Sequence, residues 1–356
     1  MTKRFDFNKD QQSLKFAEVA RRLDLNAYHD LIRSASRLLD RREWSAALEI
    51  LNQAIGRQQS ANAFYQRSRA YYHLGQLDAC IADASEAIRL DSGHTDAYFM
   101  RGLVHYERDE FDLAVPDFDR AIELDPHNFA AIFNRGLALC GKRLYHAAIE
   151  DYDRAIRLNP DEPDTYNNRA RARGQLGDLE GQLADYSEAI RRKPDFALAY
   201  ANRGVARGEL GDDEGELRDY NEAIRLDPHL ALAYNNRGWL FRLQGELEKA
   251  LADAERAIQC EPDYAVAHDT RAGIRFAMGD TDGALNDHST AIALDPTLAD
   301  AYEGRGLVWE ALGQWQYALD DWLKSIELGE GGGHIARDKL DEKIAEARRR
   351  LDGEQS

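Results

Sequence analysis

The sequence predicts an all-α fold built from tandem helix–turn–helix repeats, and three observations carry this prediction. Arginine and aspartate each recur at a spacing of 34 residues. Between them, apolar or small residues recur three and four places apart, which is typical of amphipathic helices. Six copies end in proline, a common helix stop. The recurring residues are Arg67, Arg101, Arg135, Arg169, Arg203, Arg237, Arg271 and Arg305, and Asp83, Asp117, Asp151, Asp185, Asp219, Asp253, Asp287 and Asp321.

The register of the repeats follows from these landmarks. Eight full copies begin at Ala61, and a weaker copy precedes them, in which EWSAALEILNQAI aligns with EFDLAVPDFDRAI of residues 110–122. A unit of two helices cannot bury its apolar face alone, so consecutive units are expected to stack. The predicted repeats are 28–60, 61–94, 95–128, 129–162, 163–196, 197–230, 231–264, 265–298 and 299–332.

The two ends are expected to cap this stack, because terminal repeats would otherwise expose a core face to water. Residues 1–27 are predicted to hold an N-terminal arm and a capping helix, marked by the apolar series Phe16, Val19, Ala20 and Leu23. Residues 333–356 are predicted to form a C-terminal capping helix and tail after the glycine-rich stretch at 329–333.

The repeats resemble those of the tetratricopeptide repeat (TPR) family over residues 28–332. In the copy from 95, the signature places hold Tyr98, Gly102, Ala114, Phe118, Ala121 and Pro126. The resemblance implies a right-handed α-solenoid in which the first helix of each pair, here called the A helix, lines a concave groove. It also implies a scaffold that binds other proteins.

Small residues are predicted where the two helices of a pair cross most closely. Gly102, Gly136, Gly204, Gly238 and Gly306 are expected at these crossings, and the alanines expected to face them are Ala114, Ala148, Ala250 and Ala318. The second helix, the B helix, breaks this pattern in repeats five and six, where Gln182 and Glu216 replace the alanine. We expect looser or more polar helix pairing there.

The arginines and aspartates have two interpretations. The ladder forms either a charged track for a ligand or a set of structural ion pairs, and the structural interpretation is favoured. Each Arg would then bind the Asp of its own repeat, because the weak first copy lacks both partners together, with Ser34 and Ile50 in their places.

The inner faces of the A helices are expected to carry partner recognition. An asparagine stands at the sixth place of four successive repeats, and such a ladder could hold a peptide backbone through its amide groups. The alternative is that these asparagines bond to their own helix or to water. The candidate residues are Asn134, Asn168, Asn202, Asn236, Tyr65, Arg69, Tyr72, Phe99, Tyr106, Phe133, Asn167, Arg171, Asn235, Trp239 and Arg242.

Side chains around these positions are expected to set specificity. Small residues in repeats five and six, among them Val205 and Gly208, are expected to leave a dent before Trp239. Four carboxylates are expected to make the far end of the groove acidic: Asp269, Asp300, Glu303 and Glu310.

Composition excludes several other classes of function. A net charge of -18 argues against nucleic acid as a partner. No apolar run is long enough to insert into a membrane, and no leader sequence is expected at the start. Three widely spaced cysteines fit a reducing, cytoplasmic location. The sequence has no metal-binding or phosphate-binding motif, so we expect no cofactor and no enzymatic activity.

The leading hypothesis is therefore a non-catalytic scaffold or adaptor that binds an extended or helical segment of another protein. Two alternatives remain. The chain could assemble with copies of itself through its ends or its N-terminal arm, which contains Phe5 and Phe7, or it could be an accessory subunit that anchors an enzyme.

Overall fold

The computed structural model of the protein describes residues 7–329 and 337–354, with side chains for residues 24–329 and 339–352. Every regular element within these ranges is an α-helix. The helices fall into two compact units, Met1–Gly177 and Asp178–Ser356. None of the described helices combines the length and the apolar character that crossing a bilayer requires.

The first unit contains nine helices in its described part. They are α1 (Phe7–Asp40), α2 (Trp44–Arg57), α3 (Ala61–His73), α4 (Leu77–Leu90), α5 (Thr95–Glu107), α6 (Phe111–Leu124), α7 (Phe129–Gly141), α8 (Tyr145–Leu158) and α9 (Pro163–Gly174).

The second unit continues the alternation of A and B helices. Its described helices are α10 (Leu179–Arg192), α11 (Ala197–Glu209), α12 (Asp213–Leu226), α13 (Ala231–Leu243), α14 (Leu247–Cys260), α15 (Ala265–Ala277), α16 (Thr281–Leu294), α17 (Ala299–Ala311), α18 (Trp315–Leu328) and α19 (Arg337–Glu354). The fold is therefore the tandem helix-pair α-solenoid that the sequence predicts.

The turn inside each pair depends on one residue in the left-handed region. Glycine occupies this place in six repeats, with φ between 70° at Gly75 and 87° at Gly279. Other residues occupy it in three repeats: Arg42, Asp109 and Arg143 have φ of 61°, 56° and 58°. A side chain in this region costs about 1–2 kcal/mol, so these three turns are less favourable than those with glycine.

Close approach within a pair depends on glycine, and the neighbouring group differs from pair to pair. At Gly238 the nearest atom is the backbone oxygen of Ala250, the predicted partner, at 3.1 Å. At Gly306 an added Cβ would instead lie 2.4 Å from the ring of Trp322, so a ring on the B helix, and not the predicted Ala318, is the nearest group. Gly204, for which no alanine is predicted, likewise approaches a ring, that of Tyr220, at 2.6 Å.

The alanines of the B helices also pack toward the next repeat. Ala114 is fully buried and shares an apolar cluster with Ala138 of the following A helix. Likewise, Ala148 clusters with Ala172. The small side chain therefore allows neighbouring repeats, more than the two helices of one pair, to approach each other.

The arginine ladder is structural, as predicted. In each of the following pairs the arginine Nε and Nη2 donate to the two carboxylate oxygens over 2.5–2.8 Å. The pairs are Arg67–Asp83, Arg101–Asp117, Arg135–Asp151, Arg203–Asp219, Arg237–Asp253, Arg271–Asp287 and Arg305–Asp321.

The same arginines have a third contact, which the sequence analysis missed. The Nη1 of Arg101 donates to Ser85 over 3.0 Å, and the Nη1 of Arg305 donates to Ser289 over 3.1 Å. These acceptors lie on the B helix of the preceding repeat. Each such arginine therefore joins its own two helices to a third helix.

The ends of the chain are only partly described. A single helix, α1, runs through the boundary expected at residue 27, because residues 7–40 contain neither glycine nor proline to interrupt it. The apolar series from Phe16 to Leu23, which predicts an amphipathic helix, precedes residue 24, where the described side chains begin. The side chains of Phe5 and Phe7 in the N-terminal arm also precede it. Most of the glycine-rich stretch also lies outside the described residues.

The last repeat is capped by α19. Leu340, Ile344 and Ala347 are buried against Ala318, Leu319 and Trp322 of α18 in one cluster, and Leu351 packs at its edge. These residues lie within 333–356, the segment in which the sequence predicts a C-terminal capping helix.

Candidate functional site

Several residues at the fifth place of the A helices pack inside the fold. Tyr65 packs into clusters with Phe64 and Met100, and the ring of Phe99 lies 5.9 Å from that of Phe118. Asn167 and Asn235 occupy the same place and are 3% and 4% exposed. Burial removes these two asparagines from the surface that a partner can reach, contrary to the expectation for them.

The asparagines of the sixth place remain partly exposed, and several of them use their amide groups locally. The Nδ2 of Asn134 donates to the Ala130 carbonyl, and that of Asn168 donates to the Asp164 carbonyl, each over 2.8 Å. The side chain of Asn236 accepts from Asn235 over 3.2 Å. Each amide nitrogen carries a second hydrogen, so Asn134 and Asn168 still have donor and acceptor capacity for a ligand. Asn202 is also partly exposed.

A first cleft, called cleft 1, lies in the first unit and has a volume of about 420 Å³. Four predicted residues come together in it. Its lining consists of Tyr106, Phe129, Phe133, Leu137, Glu162, Asp164, Asn168 and Arg171. The residues missed by the sequence analysis include Phe129, which lies one turn before Phe133 and stacks on it with ring centroids 5.9 Å apart. The four-residue spacing of Phe129 and Phe133, which places both rings on one face of α7, is the sequence signal by which Phe129 could have been found.

Cleft 1 combines an aromatic wall with a single cation. Arg171 is exposed, and its Nη1 donates to Asn168 Oδ1 over 3.5 Å. Burial raises the pKa of Tyr106 above its ordinary value of 10.0, because the phenolate form loses hydration. Tyr106 is therefore a neutral hydroxyl at physiological pH. The cleft can hold apolar or aromatic groups and donate hydrogen bonds from Arg171.

A second cleft, called cleft 2, lies in the second unit and has a volume of about 480 Å³. The dent predicted at Val205 and Gly208 forms part of it, beside Trp239 as expected. Its lining consists of Val205, Gly208, Glu209, Asp213, Glu216, Tyr220, Asn236, Trp239, Leu240, Leu243 and Gln244. Leu243 is 65% exposed at its edge, an unusual position for a large apolar side chain.

Glu216 makes the helix pairing of repeat six polar, as predicted from its place among the alanines. It accepts a hydrogen bond from the Tyr220 hydroxyl over 2.9 Å. A Cβ added at Gly208 would lie 2.5 Å from its Oε2, so glycine is what leaves room for the carboxylate. Burial, more than the neighbouring Asp213, raises the pKa of Glu216 above its ordinary value of 4.5.

Trp239 and Arg242 form a cation–π pair, with the guanidinium carbon 4.0 Å from the ring centroid. Burial lowers the pKa of Arg242 below 12.5, and its Nε is buried without a hydrogen-bond partner among the described residues. The guanidinium holds the indole ring at the side of cleft 2, although Arg242 itself does not line the cleft.

The other predicted residues of the first unit lie outside cleft 1. Tyr72 donates a hydrogen bond to Glu107, and burial together with this bond raises its pKa. Arg69 lies over the ring of Tyr65, at 6.0 Å. The first contact joins two neighbouring A helices, α3 and α5, and the second lies within α3, so part of the predicted aromatic wall is engaged in contacts inside the fold.

The acidic far end expected in the last repeats is largely internal. Asp269 and Glu303 are 5% and 1% exposed, and Asp269 accepts from the buried His288 ring over 2.8 Å. Glu310 pairs with Lys343 of α19 over 2.5 Å. The prediction of an exposed acidic surface is therefore wrong for these three residues, because Asp269 and Glu303 are buried and Lys343 of α19 pairs with Glu310.

Both clefts are suited to binding. Their polar groups include carboxylates, amides and a guanidinium, set among aromatic and aliphatic side chains. Within residues 24–329 and 339–352, no group of three or more His, Cys, Asp or Glu side chains has the arrangement of a metal site. Clefts that combine apolar or aromatic lining with a few polar groups are common at ligand sites of proteins.

Comparison with known structures agrees with this architecture. A tetratricopeptide repeat protein from Parabacteroides merdae has 18% sequence identity and a TM-score of 0.58, with 71% of this chain and 98% of that chain covered. A chain of the APC/C hetero-tetramer Cut9–Hcn1 has 13% identity and a TM-score of 0.55, with 91% and 84% covered. At these identities the likeness concerns the fold alone. A search of curated proteins gave no significant match.

Comparison with protein families is more specific. A tetratricopeptide repeat model matches residues 32–95, 99–163 and 133–195. Two further models of the same repeat match residues 231–264 and 273–313. Repeats of this kind are typical of scaffolds for protein–protein interaction. Because these matches together span more than half of the sequence, the chain belongs to the tetratricopeptide repeat family.

Proposed function

We propose that this protein is a non-catalytic scaffold that binds segments of partner proteins in the clefts along its A helices. The observation that carries the proposal is that residues selected from the repeat register alone come together in cleft 1 and in cleft 2. Tyr106, Phe133, Asn168 and Arg171 line the first cleft, and Trp239 is among those that line the second.

The chemistry of the clefts supports a polypeptide ligand. Aromatic rings and an arginine are the side chains most often found at the centres of protein interfaces. Asn168 keeps donor and acceptor capacity after its bond to its own helix, so it can bind a peptide group. A segment that is extended or helical presents both side chains and polar groups to such a surface.

Partner binding is favoured over assembly of identical copies through the C-terminal end. The apolar face of α18, including Trp322, is covered by α19, so a second copy would have to displace that helix. Association through the N-terminal arm stays a prediction, since the arm lies outside the described residues. The cytoplasmic location predicted from the cysteine count is likewise part of this proposal.

The proposal is tested by capture of partners from cell extract. A variant with alanine at Asn168, Arg171, Asn202 and Trp239 should lose partners that the wild-type chain retains. A matched control changes Arg120 and Glu123 to alanine; these two form an exposed ion pair on the B helix α6. The control should retain the partners. If the fourfold variant has an unchanged circular dichroism spectrum and still retains every partner, the clefts are the wrong surface.

A further inference from the structure

The charge lining cleft 2 has one sign. Glu209, Asp213 and Glu216 line it, and no lysine, arginine or histidine does. Among the residues whose side chains are described, none of these three carboxylates forms an ion pair. Cleft 1 differs in this respect, because Arg171 lines it together with two carboxylates.

The arginines beside cleft 2 are used by other acceptors. Arg207 binds Asp219 over 2.9 Å and the Gly215 carbonyl over 3.2 Å. Arg218 pairs with Glu214 over 3.4 Å. The carboxylates of the cleft are therefore not the receiving ends of ion pairs within the fold.

Glu216 is the carboxylate of cleft 2 whose charged form is disfavoured by burial. Its carboxylate is half-buried and has one neutral donor, the Tyr220 hydroxyl. Burial has raised its pKa, which means that the charged form is disfavoured in the free protein. A cation brought from outside would offset that cost, because an opposite charge within a few ångströms favours the ionised form.

Cleft 2 also has apolar lining residues that are open to solvent, beside the neutral polar side chains of Asn236 and Gln244. Val205 is 36% exposed and Leu243 is 65% exposed, and Trp239 lines the same cleft. Lysine and arginine bury their aliphatic stems against such surfaces while their charged ends stay near polar groups. A cleft of about 480 Å³ has room for one such side chain.

We propose that cleft 2 receives a lysine or arginine side chain of the partner segment, with its stem against Val205, Trp239 and Leu243 and its charged end at the carboxylates of Glu209, Asp213 and Glu216. This inference rests on the proposed scaffold function and adds the chemistry of the side chain that is recognised. Charge complementarity identifies the occupant, since the lining offers three acceptors and no competing cation.

The test uses the full-length chain and four mixtures of short degenerate peptides. The mixtures differ in one fixed central residue, which is arginine, lysine, citrulline or glutamate. Citrulline has the shape of arginine without its charge. The wild-type chain should bind the arginine and lysine mixtures about tenfold more tightly than the citrulline mixture, and the glutamate mixture least.

Two variants locate the effect. Glu216→Gln keeps the acceptor for Tyr220 and removes the charge, so preference for arginine over citrulline should fall by about tenfold. Glu214→Gln is the matched control on the same helix, outside the cleft lining, and should keep the preference. Equal binding of the arginine and citrulline mixtures by the wild-type chain overturns the inference, as does an unchanged preference in Glu216→Gln.

Failure of the inference is distinguishable from failure of the scaffold function. Suppose that arginine and citrulline mixtures bind equally but the fourfold alanine variant no longer binds either. Cleft binding then stands and the recognition of a cation does not. Binding of no mixture at all overturns the inference, while the capture experiment separately decides the scaffold function.

Discussion

Replacing Arg101 with alanine should destabilise the protein more than the same change at Arg203. Asp117 is 8% exposed in its side chain and receives two bonds from Arg101, which is itself 25% exposed. Removal of one partner of a buried pair costs about 3–5 kcal/mol. Because water can enter the place of a quarter-exposed arginine, we expect a loss of about 2–3 kcal/mol in the free energy of unfolding.

The expected loss at Arg203 is smaller because its aspartate has a second arginine. Asp219 also receives Nη1 of Arg207 over 2.9 Å, so it stays paired after Arg203→Ala. We expect a loss of about 1.5 kcal/mol there, the low end for a hydrogen bond to a charged group. Arg191→Ala, which removes an exposed pair with Glu188, should leave stability unchanged within error.

The assay is guanidinium denaturation followed by far-ultraviolet circular dichroism, with a double-mutant cycle at Arg101 and Asp117. The cycle isolates the energy of the pair from other effects of each change. We expect a coupling of about 1 kcal/mol or more. Equal and negligible losses for Arg101→Ala, Arg203→Ala and Arg191→Ala would refute the structural role of the ladder and favour a solvated track of charge.

Three further changes test other parts of the structure. Gly306→Ala should lower the free energy of unfolding by about 1–3 kcal/mol, because the added methyl group clashes with Trp322. Gly56→Ala, whose added methyl group meets nothing within 4 Å, should raise the free energy of unfolding by about 0.5–1 kcal/mol. Chemical denaturation measures both changes, and changes of the same sign would contradict this reasoning. Arg143→Gly should stabilise the chain by about 1 kcal/mol because it relieves the left-handed backbone at φ 58°, and a lower melting temperature would contradict this reason. Glu216→Gln should raise the free energy of unfolding near pH 7, because the raised pKa of Glu216 means that its charged form destabilises the folded state. The difference from wild type should shrink as the pH falls toward 4.5, and chemical denaturation across that pH range measures it. A difference that stays constant with pH would show that the charge is not its cause.

The repeat register was predictable because each landmark has one physical role that recurs. The bidentate pair of Arg101 and Asp117, like its equivalents, needs two fixed places in every copy, so the spacing is visible in the sequence. The turn glycine at Gly75 recurs for a similar reason, since its place requires a positive φ.

The clefts were predictable only in part, because they depend on contacts between repeats. Asn167 and Asn235 share the inner face by periodicity, yet both are buried in the folded chain. No spacing within one repeat reveals that burial. Glu216 was visible as a departure from the alanine pattern, but its role in lining cleft 2 depends on Gly208 of the facing helix and on Trp239 of the next repeat.

The third contact of the ladder arginines has a consequence for how such a chain changes length. Arg237, for example, reaches back through Nη1 to Asn221 over 2.6 Å, across the junction between two copies. A copy with these contacts carries both an arginine, which donates to the copy before it, and an acceptor for the arginine of the copy after it. When such a copy is duplicated or deleted as a whole, each new junction therefore again has a donor and an acceptor, without any compensating substitution. An insertion that ends inside a copy would separate the arginine from its carboxylate. Gain and loss of whole units should therefore be tolerated where partial ones are not.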